Sequence, residues 1–283
     1  MAVIQPRLGQ LSQGYIFSCA RAERYPTSNV AGVVLTARCD IEQDKYNVLN
    51  YAPVVSFRDW LEVDGYDLIL SRVASDIDSR LESALKSLGL PLSVLYSQTP
   101  KSIIDNFIKA DGADKRTKAL EPKFADLQSR LDTLSKCSRN RSTVSADLIS
   151  EYDGIVRNCI KELMQHRMTG YYFLPNIAPD EPETGFVVLL REITHLPRQL
   201  ARLIAAGVDM TDQAFVDNKS WLAYVDFVSE SFAMPIGEIK SPQIEHLMQT
   251  FAQLFGRIGL PDLKKDLIDR ISEIRPASKG AAT

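Results

Sequence analysis

The sequence predicts an α+β fold in which strands from both ends of the chain form one small β-barrel. Three observations support this prediction. Residues 32–57 are the only long block dense in β-branched residues. Apolar residues then recur at helical spacing from Arg58 to about Met168. Strand character returns near Tyr171, and an apolar helix follows near the C-terminus, so we expect a helical insertion within a β domain that the last helix closes.

The β-rich block predicts two strands and a turn. Apolar positions alternate with more polar ones from residue 33 as far as Asp40, which is the period of a strand with two different faces. A second strand is predicted over residues 46–57, and the polar residues 42–45 connect the two. A shorter strand over residues 13–17 precedes the block. It is entered through Gly14, because glycine adopts turn conformations that other residues avoid.

Residues 58–168 are predicted to be helical. One apolar stripe runs over residues 76–88 and ends at a glycine. Thr99 with a proline behind it is typical of a helix start, since its hydroxyl can accept a backbone N–H. Two further stripes, over residues 124–134 and 148–163, predict an antiparallel helical hairpin.

The C-terminal half returns to strands and then to helices. Strands are predicted over residues 171–174 and 185–190, and a short helix over 200–206. A longer helix from Ser241 to Ile258 carries a broad apolar face that we expect to be buried against the sheet. The domain boundaries that follow are 1–57 with 169–275 for the barrel and its C-terminal helices, 58–168 for the insertion, and 276–283 for a disordered tail.

Composition excludes several functional classes. The chain has 283 residues and a formal net charge of −3, which disfavours strong non-specific DNA binding but leaves room for a local basic patch. No apolar run approaches the roughly 20 residues that span a bilayer, so no membrane association is expected. The cysteines form no CxxC pair and no signal peptide is evident, which predicts a cytoplasmic protein with reduced thiols. No glycine-rich nucleotide loop occurs, and no cofactor is expected.

Arg38, Cys39 and Asp40, at the end of a predicted strand, form the candidate binding site. Cys39 with Asp40 could be a nucleophile and its acidic neighbour, or part of a metal site with Cys19 and His195. An adjacent carboxylate raises a thiol pKa, and zinc-ligand spacing is absent. We therefore expect no metal, with Cys39 packed inward and Asp40 capping the turn. The three histidines, far apart in sequence, are interpreted as surface or satisfied side chains.

Several blocks resemble a large, poorly characterised bacterial family whose members share the motifs QGDI, VVLSxxCDI and a final FxxxFxRIGLP. The matching blocks here are residues 13–17, 32–41, 172–175, 185–193 and 241–261. They cover both ends of the chain and skip the helical middle. This chain departs from the family at Tyr15, where an acidic residue is usual.

The N-terminal part also resembles, more distantly, the SH3-like barrel of MazF/PemK-type toxins. That resemblance implies an SH3-like form for the barrel. It also implies phosphate stabilisation by Arg21 or Arg24 and a supporting hydroxyl from Ser56, as in metal-independent endoribonucleases. The alternative is that these residues have no functional role and are solvated side chains of a loop and a strand.

Three functions remain open from the sequence, and one of them is a thiol-dependent enzyme at Cys39. The preferred one is a non-catalytic binding module of a bacterial multicomponent system, of the anti-phage defence or toxin–antitoxin type, with a protein partner held by the helical insertion. The alternative is an endoribonuclease that uses Arg21 or Arg24 with Ser56, for which RNA is the partner. The assignment to such a system is implied by the resemblance alone.

Overall fold

The computed structural model describes residues 3–109, 115–139, 151–227 and 230–256. These residues form a curled antiparallel sheet together with helices, which confirms the predicted α+β class. The strands are β1 (Val3–Ile4), β2 (Tyr15–Phe17), β3 (Ala31–Val34), β4 (Val48–Ser56), β5 (Tyr171–Leu174), β6 (Phe186–Leu189), β7 (Thr194–Pro197), β8 (Val208–Asp209), β9 (Phe232–Ala233) and β10 (Pro235–Ile239). The helices are α1 (Arg38–Glu42), α2 (Phe57–Trp60), α3 (Tyr66–Ser87), α4 (Pro100–Ile103), α5 (Lys115–Lys118), α6 (Glu121–Arg139), α7 (Asp153–Met164), α8 (Arg198–Ala206), α9 (Gln213–Asp217) and α10 (Gln243–Phe255). Two π-helical segments (Leu61–Gly65 and Ile104–Ile108) and two 3-10 helices (Leu92–Tyr96 and Lys219–Ala223) complete the set.

Strands from both ends of the chain pair within one sheet. Its order is β1-β10-β2-β3-β4-β6-β5, and β7 pairs with the first half of β4. Strand β10 lies antiparallel to β2, with Glu238 opposite Tyr15, and β6 lies antiparallel to β4, with Val188 opposite Val54. The insertion leaves after β4 and returns at β5, and both of these strands pair with β6. The sheet curls into a half-barrel, whereas the closed SH3-like form stays a prediction.

The first predicted strand of the β-rich block is too long. Strand β3 ends at Val34 and pairs antiparallel with β4 as expected, but the residues that follow form the short helix α1. Beyond Val34 the pairing becomes irregular: the Asn50 carbonyl accepts from the Leu35 N–H over 2.9 Å, and the Asn50 N–H donates to the Thr36 hydroxyl over 2.7 Å. Cys39 is consequently exposed on α1, and the prediction that it packs inward is wrong.

The insertion is helical over its described residues. Thr99 caps α4 by accepting from the Ser102 N–H over 3.1 Å, and Pro100 follows at the first helical position, as predicted. Helix α3 is longer than its stripe indicated and begins at Tyr66. Helices α6 and α7 both contact α3, and the turn predicted between them lies outside the described residues. None of the described helices is both long and apolar enough to cross a membrane.

Two buried apolar clusters lie on the two sides of the sheet. The first contains Phe17 and Tyr51 from the sheet and continues through Trp60 into the helices of the insertion. The second contains Ile16 and Val54, whose side chains alternate with those of the first cluster, and it is covered by α10. The period of the strands thus assigns one face to the insertion and α8, and the other to the C-terminal helix.

Helix α10 is less deeply buried than its stripe predicted. Only Ile244 and Leu247 are buried, Phe251 is partly buried, and Phe255 is 52% exposed. Met248, Phe251 and Leu254 pack against the second cluster at its edge and are only partly buried, so the sheet covers part of the apolar face of the helix. The predicted end of this helix beyond Phe255, the short helix after it and the disordered tail lie outside the described residues.

Candidate functional site

Arg24, one of the arginines that the toxin resemblance assigns to a phosphate, belongs to an ion cluster between the insertion and the sheet. Its guanidinium donates to the carboxylate of Asp64 and, over 3.0 Å, to that of Asp67. Asp64 is only 6% exposed, so its charge is largely withdrawn from water. A buried charge needs a partner, and Arg24 supplies it. The side chain that was assigned to a ligand therefore neutralises an acid of the protein itself.

Asp64 also gathers two tyrosines from different parts of the chain. The hydroxyl of Tyr25, in the loop after β2, donates to Asp64 over 2.8 Å, and Tyr171 of β5 lies close enough for the Asp64 charge to act on it. Burial, reinforced by the Asp64 charge, raises the pKa of Tyr171 to about 12. Burial and the hydrogen bond to Asp64 also raise the pKa of Tyr25. Both hydroxyls stay protonated donors at neutral pH, and the cluster fastens the first turn of the insertion to the sheet.

Arg21 is held elsewhere. Its guanidinium donates to the backbone carbonyl of Ala223 over 2.8 Å, and the backbone N–H of Arg21 donates to the Tyr51 hydroxyl over 3.3 Å. The Arg21 side chain is exposed, but its hydrogen bond joins the loop after β2 to the 3-10 helix Lys219–Ala223. Arg21 and Arg24 thus serve two separate contacts within the fold.

Ser56 lies in a cleft of about 440 Å³. Its hydroxyl donates to the Asp59 carboxylate over 2.7 Å, and the Asp59 N–H donates back to the Ser56 oxygen, which caps α2. Carboxylates predominate among the ionisable side chains that line the cleft, and no Lys, Arg or His is found among its described lining residues. Its acidic lining residues are Asp59, Glu181, Asp226 and Glu230. Such a cleft repels a phosphate and suits a neutral or cationic group.

Arg38 lies where two shallow clefts of about 530 and 480 Å³ meet. Arg7 and Tyr15 line the first, and Gln13 and Glu245 line the second. The Arg38 side chain is exposed and forms no ion pair with another described residue. Three of the blocks that carry the family resemblance therefore come together around this guanidinium.

The other two residues of the predicted binding site lie on the same short helix as Arg38. The Cys39 sulfur is 3.8 Å from an oxygen of the Asp40 carboxylate, and both side chains are exposed. Asp40 closes the following turn with its backbone carbonyl, which accepts from the Lys45 N–H over 2.8 Å. The turn is therefore stabilised by the backbone of Asp40, and the side-chain cap that was predicted is not formed among the described residues.

Two histidines that are far apart in sequence meet around Tyr172. The His166 ring stacks on Tyr172, with centroids 4.0 Å apart, and lies 5.1 Å from the His246 ring. The Tyr172 hydroxyl and Nδ1 of His246 are 3.1 Å apart. Burial and the neighbouring His246 lower the pKa of His166, whose Nδ1 is buried with no hydrogen-bond partner among the described residues. His166 is partly exposed, but its buried Nδ1 is not satisfied among the described residues, and no local spacing could have revealed the pair.

Cys19 and His195, which were considered as metal ligands together with Cys39, have separate contacts among the described residues. Cys19 is buried and its sulfur lies 3.5 Å from the carbonyl oxygens of Glu230 and Phe232. Burial raises the pKa of Cys19 to about 11, so the thiol is protonated at neutral pH. His195 packs against the ring of Tyr224. Across the part of the chain that the structure describes, no group of three or more His, Cys, Asp or Glu side chains is arranged to hold a metal ion.

The insertion exposes large apolar side chains at the end of α3 and beyond it. Tyr96 is 93% exposed, Leu92 is 49% exposed, and both belong to the 3-10 helix Leu92–Tyr96. Phe107, in the π-helical segment Ile104–Ile108, is 39% exposed. The Asn106 amide donates to the Gln98 side chain over 3.2 Å, and the Gln98 N–H donates to the Val94 carbonyl over 2.9 Å, which links the two segments. Exposed apolar groups on linked segments favour a protein-binding surface.

Comparisons with known proteins give no further identification. No family model, no curated protein and no solved structure matches this chain. The bacterial family and the toxin barrel that the motif blocks resemble therefore stay predictions. Function must be inferred from the residues and from the geometry in which the fold places them.

Proposed function

We propose that this protein is a non-catalytic binding module whose helical insertion carries the partner-specific surface. The observation that supports the proposal is the exposure of Leu92, Tyr96 and Phe107 on joined segments of the insertion. Aromatic and leucine side chains stabilise an interface when they are buried, because each removes a large apolar area from water. The motif resemblance supports placing the module in a bacterial multicomponent system of the anti-phage defence or toxin–antitoxin type.

The endoribonuclease alternative has weaker support from the geometry. Cleavage of RNA at Ser56 would need a cation beside its hydroxyl to stabilise charge on the phosphate. Ser56 instead donates to Asp59 in an acidic cleft, while Arg24 is bonded to Asp64 and Arg21 to the carbonyl of Ala223. The toxin resemblance implies that Arg21 or Arg24 acts together with Ser56. In the fold, each of these side chains has a different partner.

The purified chain is therefore expected to leave RNA intact. Single-stranded RNA would be incubated with the protein without added metal ions, and its length followed by gel electrophoresis. Ser56→Ala and Arg24→Ala provide the controls, since a contaminating nuclease would cleave equally in all three preparations. Cleavage by the parent that disappears in both variants would promote the endoribonuclease alternative.

The binding proposal predicts that partner capture depends on Tyr96. The tagged protein would be isolated from its own host, and the proteins retained with it compared with those retained by Tyr96→Ser. We expect the substitution to release a partner, because it removes a 93% exposed aromatic ring without touching the core. Met164→Ser is the matched control, because Met164 is 53% exposed on α7 of the same insertion. Equal retention by the parent and both variants would contradict a role for this surface.

A further inference from the structure

A basic helix lies beside the segment of the insertion that carries Phe107. Helix α5 contacts the π-helical segment Ile104–Ile108 that carries Phe107. Its sequence is Lys-Arg-Thr-Lys, and all three basic side chains are exposed. We define the tip patch as three apolar and three basic residues. Its members are Leu92, Tyr96, Phe107, Lys115, Arg116 and Lys118.

The tip patch is positive although the whole chain has a net charge of −3. No ion pair joins Lys115, Arg116 or Lys118 to another described residue. Close by in the sequence, the Lys109 ammonium is paired with the Glu121 carboxylate at 3.0 Å. Over residues 101–109 and 115–123, basic side chains outnumber acidic ones. They are Lys101, Lys109, Lys115, Arg116, Lys118 and Lys123 against Asp105 and Glu121, while Asp111 and Asp114 fall between the two described ranges.

We propose that the tip patch binds an acidic segment of a partner protein that also carries apolar side chains. The inference rests on the proposed binding function and specifies its partner. Carboxylates of the segment pair with Lys115, Arg116 and Lys118, and its apolar side chains cover Leu92, Tyr96 and Phe107. Complementary charge increases the association rate and selects the partner, while the apolar contacts supply most of the affinity.

An acidic protein segment fits these observations better than RNA does. Tyr96 and Phe107 offer rings on which a base could stack, so charge decides between the two kinds of partner. The remainder of the molecule is negative, and it repels a long polyanion while a short acidic segment meets only the local positive charge. The exposed apolar and basic side chains therefore match a partner segment that carries both apolar side chains and carboxylates.

The test measures binding of defined probes to the full chain by fluorescence anisotropy. The first probe is a labelled synthetic peptide that combines glutamate with leucine and phenylalanine. The second replaces each glutamate by lysine, the third replaces the apolar residues by serine, and the fourth is a single-stranded RNA. We expect the first peptide to bind, its affinity to fall when salt is raised, and the other three probes to bind more weakly.

Charge reversal of the tip patch is expected to weaken the first peptide's binding by about tenfold, since each exposed ion pair contributes little but three act together. The variant is Lys115→Glu with Arg116→Glu and Lys118→Glu. The matched control reverses Lys45, Lys219 and Lys240, which are exposed elsewhere and give the same net charge. All these side chains are on the surface, and circular dichroism confirms that each variant is folded.

Each of the other outcomes overturns the inference. An affinity that falls equally in the charge-matched control would show that net charge alone attracts the peptide. Preference for the RNA would assign the patch to nucleic acid, and a dimer that Tyr96→Ser dissociates would assign it to a second copy of the chain. If the host partner is released by Tyr96→Ser but kept by the charge-reversed variant, the binding function stands and the acidic partner is wrong. If neither variant releases it, the proposed function fails as well.

Discussion

Replacing Asp64 by alanine is expected to lower the free energy of unfolding by about 2–3 kcal/mol, because the substitution leaves buried donors without an acceptor. The Tyr25 hydroxyl loses its 2.8 Å hydrogen bond, and Tyr25 is only 2% exposed. Arg24 loses its partner as well, but the Arg24 side chain is 48% exposed and water can solvate part of its charge. Thermal and urea unfolding followed by circular dichroism would measure the loss.

Asp67→Ala is the matched control for Asp64→Ala. Asp67 pairs with the same guanidinium at 3.0 Å, but its side chain is 37% exposed. Exposed ion pairs contribute about 0–1 kcal/mol, so Asp67→Ala is expected to have little effect on stability. A loss of equal size in the two variants would mean that burial of Asp64 does not govern the cluster. Our description of it as the fastening between the insertion and the sheet would then be wrong.

The parts of the fold that could be predicted from sequence depend on local chemistry. The cap at Thr99 and the glycine entry to β2 use contacts within a few residues, and both predictions are confirmed: Thr99 caps α4 and Gly14 has a φ of +85°. The alternation of residues 33–40 was misleading because the Asn50 N–H donates to the Thr36 hydroxyl instead of to a backbone carbonyl, and α1 begins at Arg38. The burial of helix α10 was overestimated for a related reason. An apolar stripe shows which face can be buried, but only the neighbouring elements determine how much of it is.

The candidate sites depend on contacts across long stretches of sequence. Asp64 and Tyr25 are far apart along the chain, and nothing in the spacing of either residue indicates the other. The same holds for His166 and His246. The sequence does contain one signal of the exposed surface on the insertion: basic residues are dense near residue 115, and Tyr96 and Phe107 come shortly before them. The sequence did not show that these side chains are exposed, because segments of about one helical turn are too short to reveal which face is buried.

Gly237→Ala is expected to destabilise the protein by about 3 kcal/mol or more, the largest effect we predict for a single methyl group. Gly237 lies in β10, the strand that joins β1 to β2. A Cβ atom built on Gly237 would be 2.0 Å from the backbone oxygen of Ile177 and 2.8 Å from a methyl carbon of Val3. A backbone oxygen cannot rotate away as a side chain does, so β10 would have to move apart from the loop that contains Ile177.

Gly154→Ala gives this prediction a control of opposite sign. Gly154 lies in the first turn of α7, and a Cβ atom there would have no described neighbour within 4 Å. Alanine restricts the unfolded chain and favours the helix, so this substitution is expected to stabilise the protein by about 0.5–1 kcal/mol. Unfolding in urea, followed by circular dichroism, would compare both variants with the parent. If Gly237→Ala unfolds at the same urea concentration as the parent, β10 does not approach the Ile177 carbonyl closely, and the junction between the two ends of the chain is looser than described.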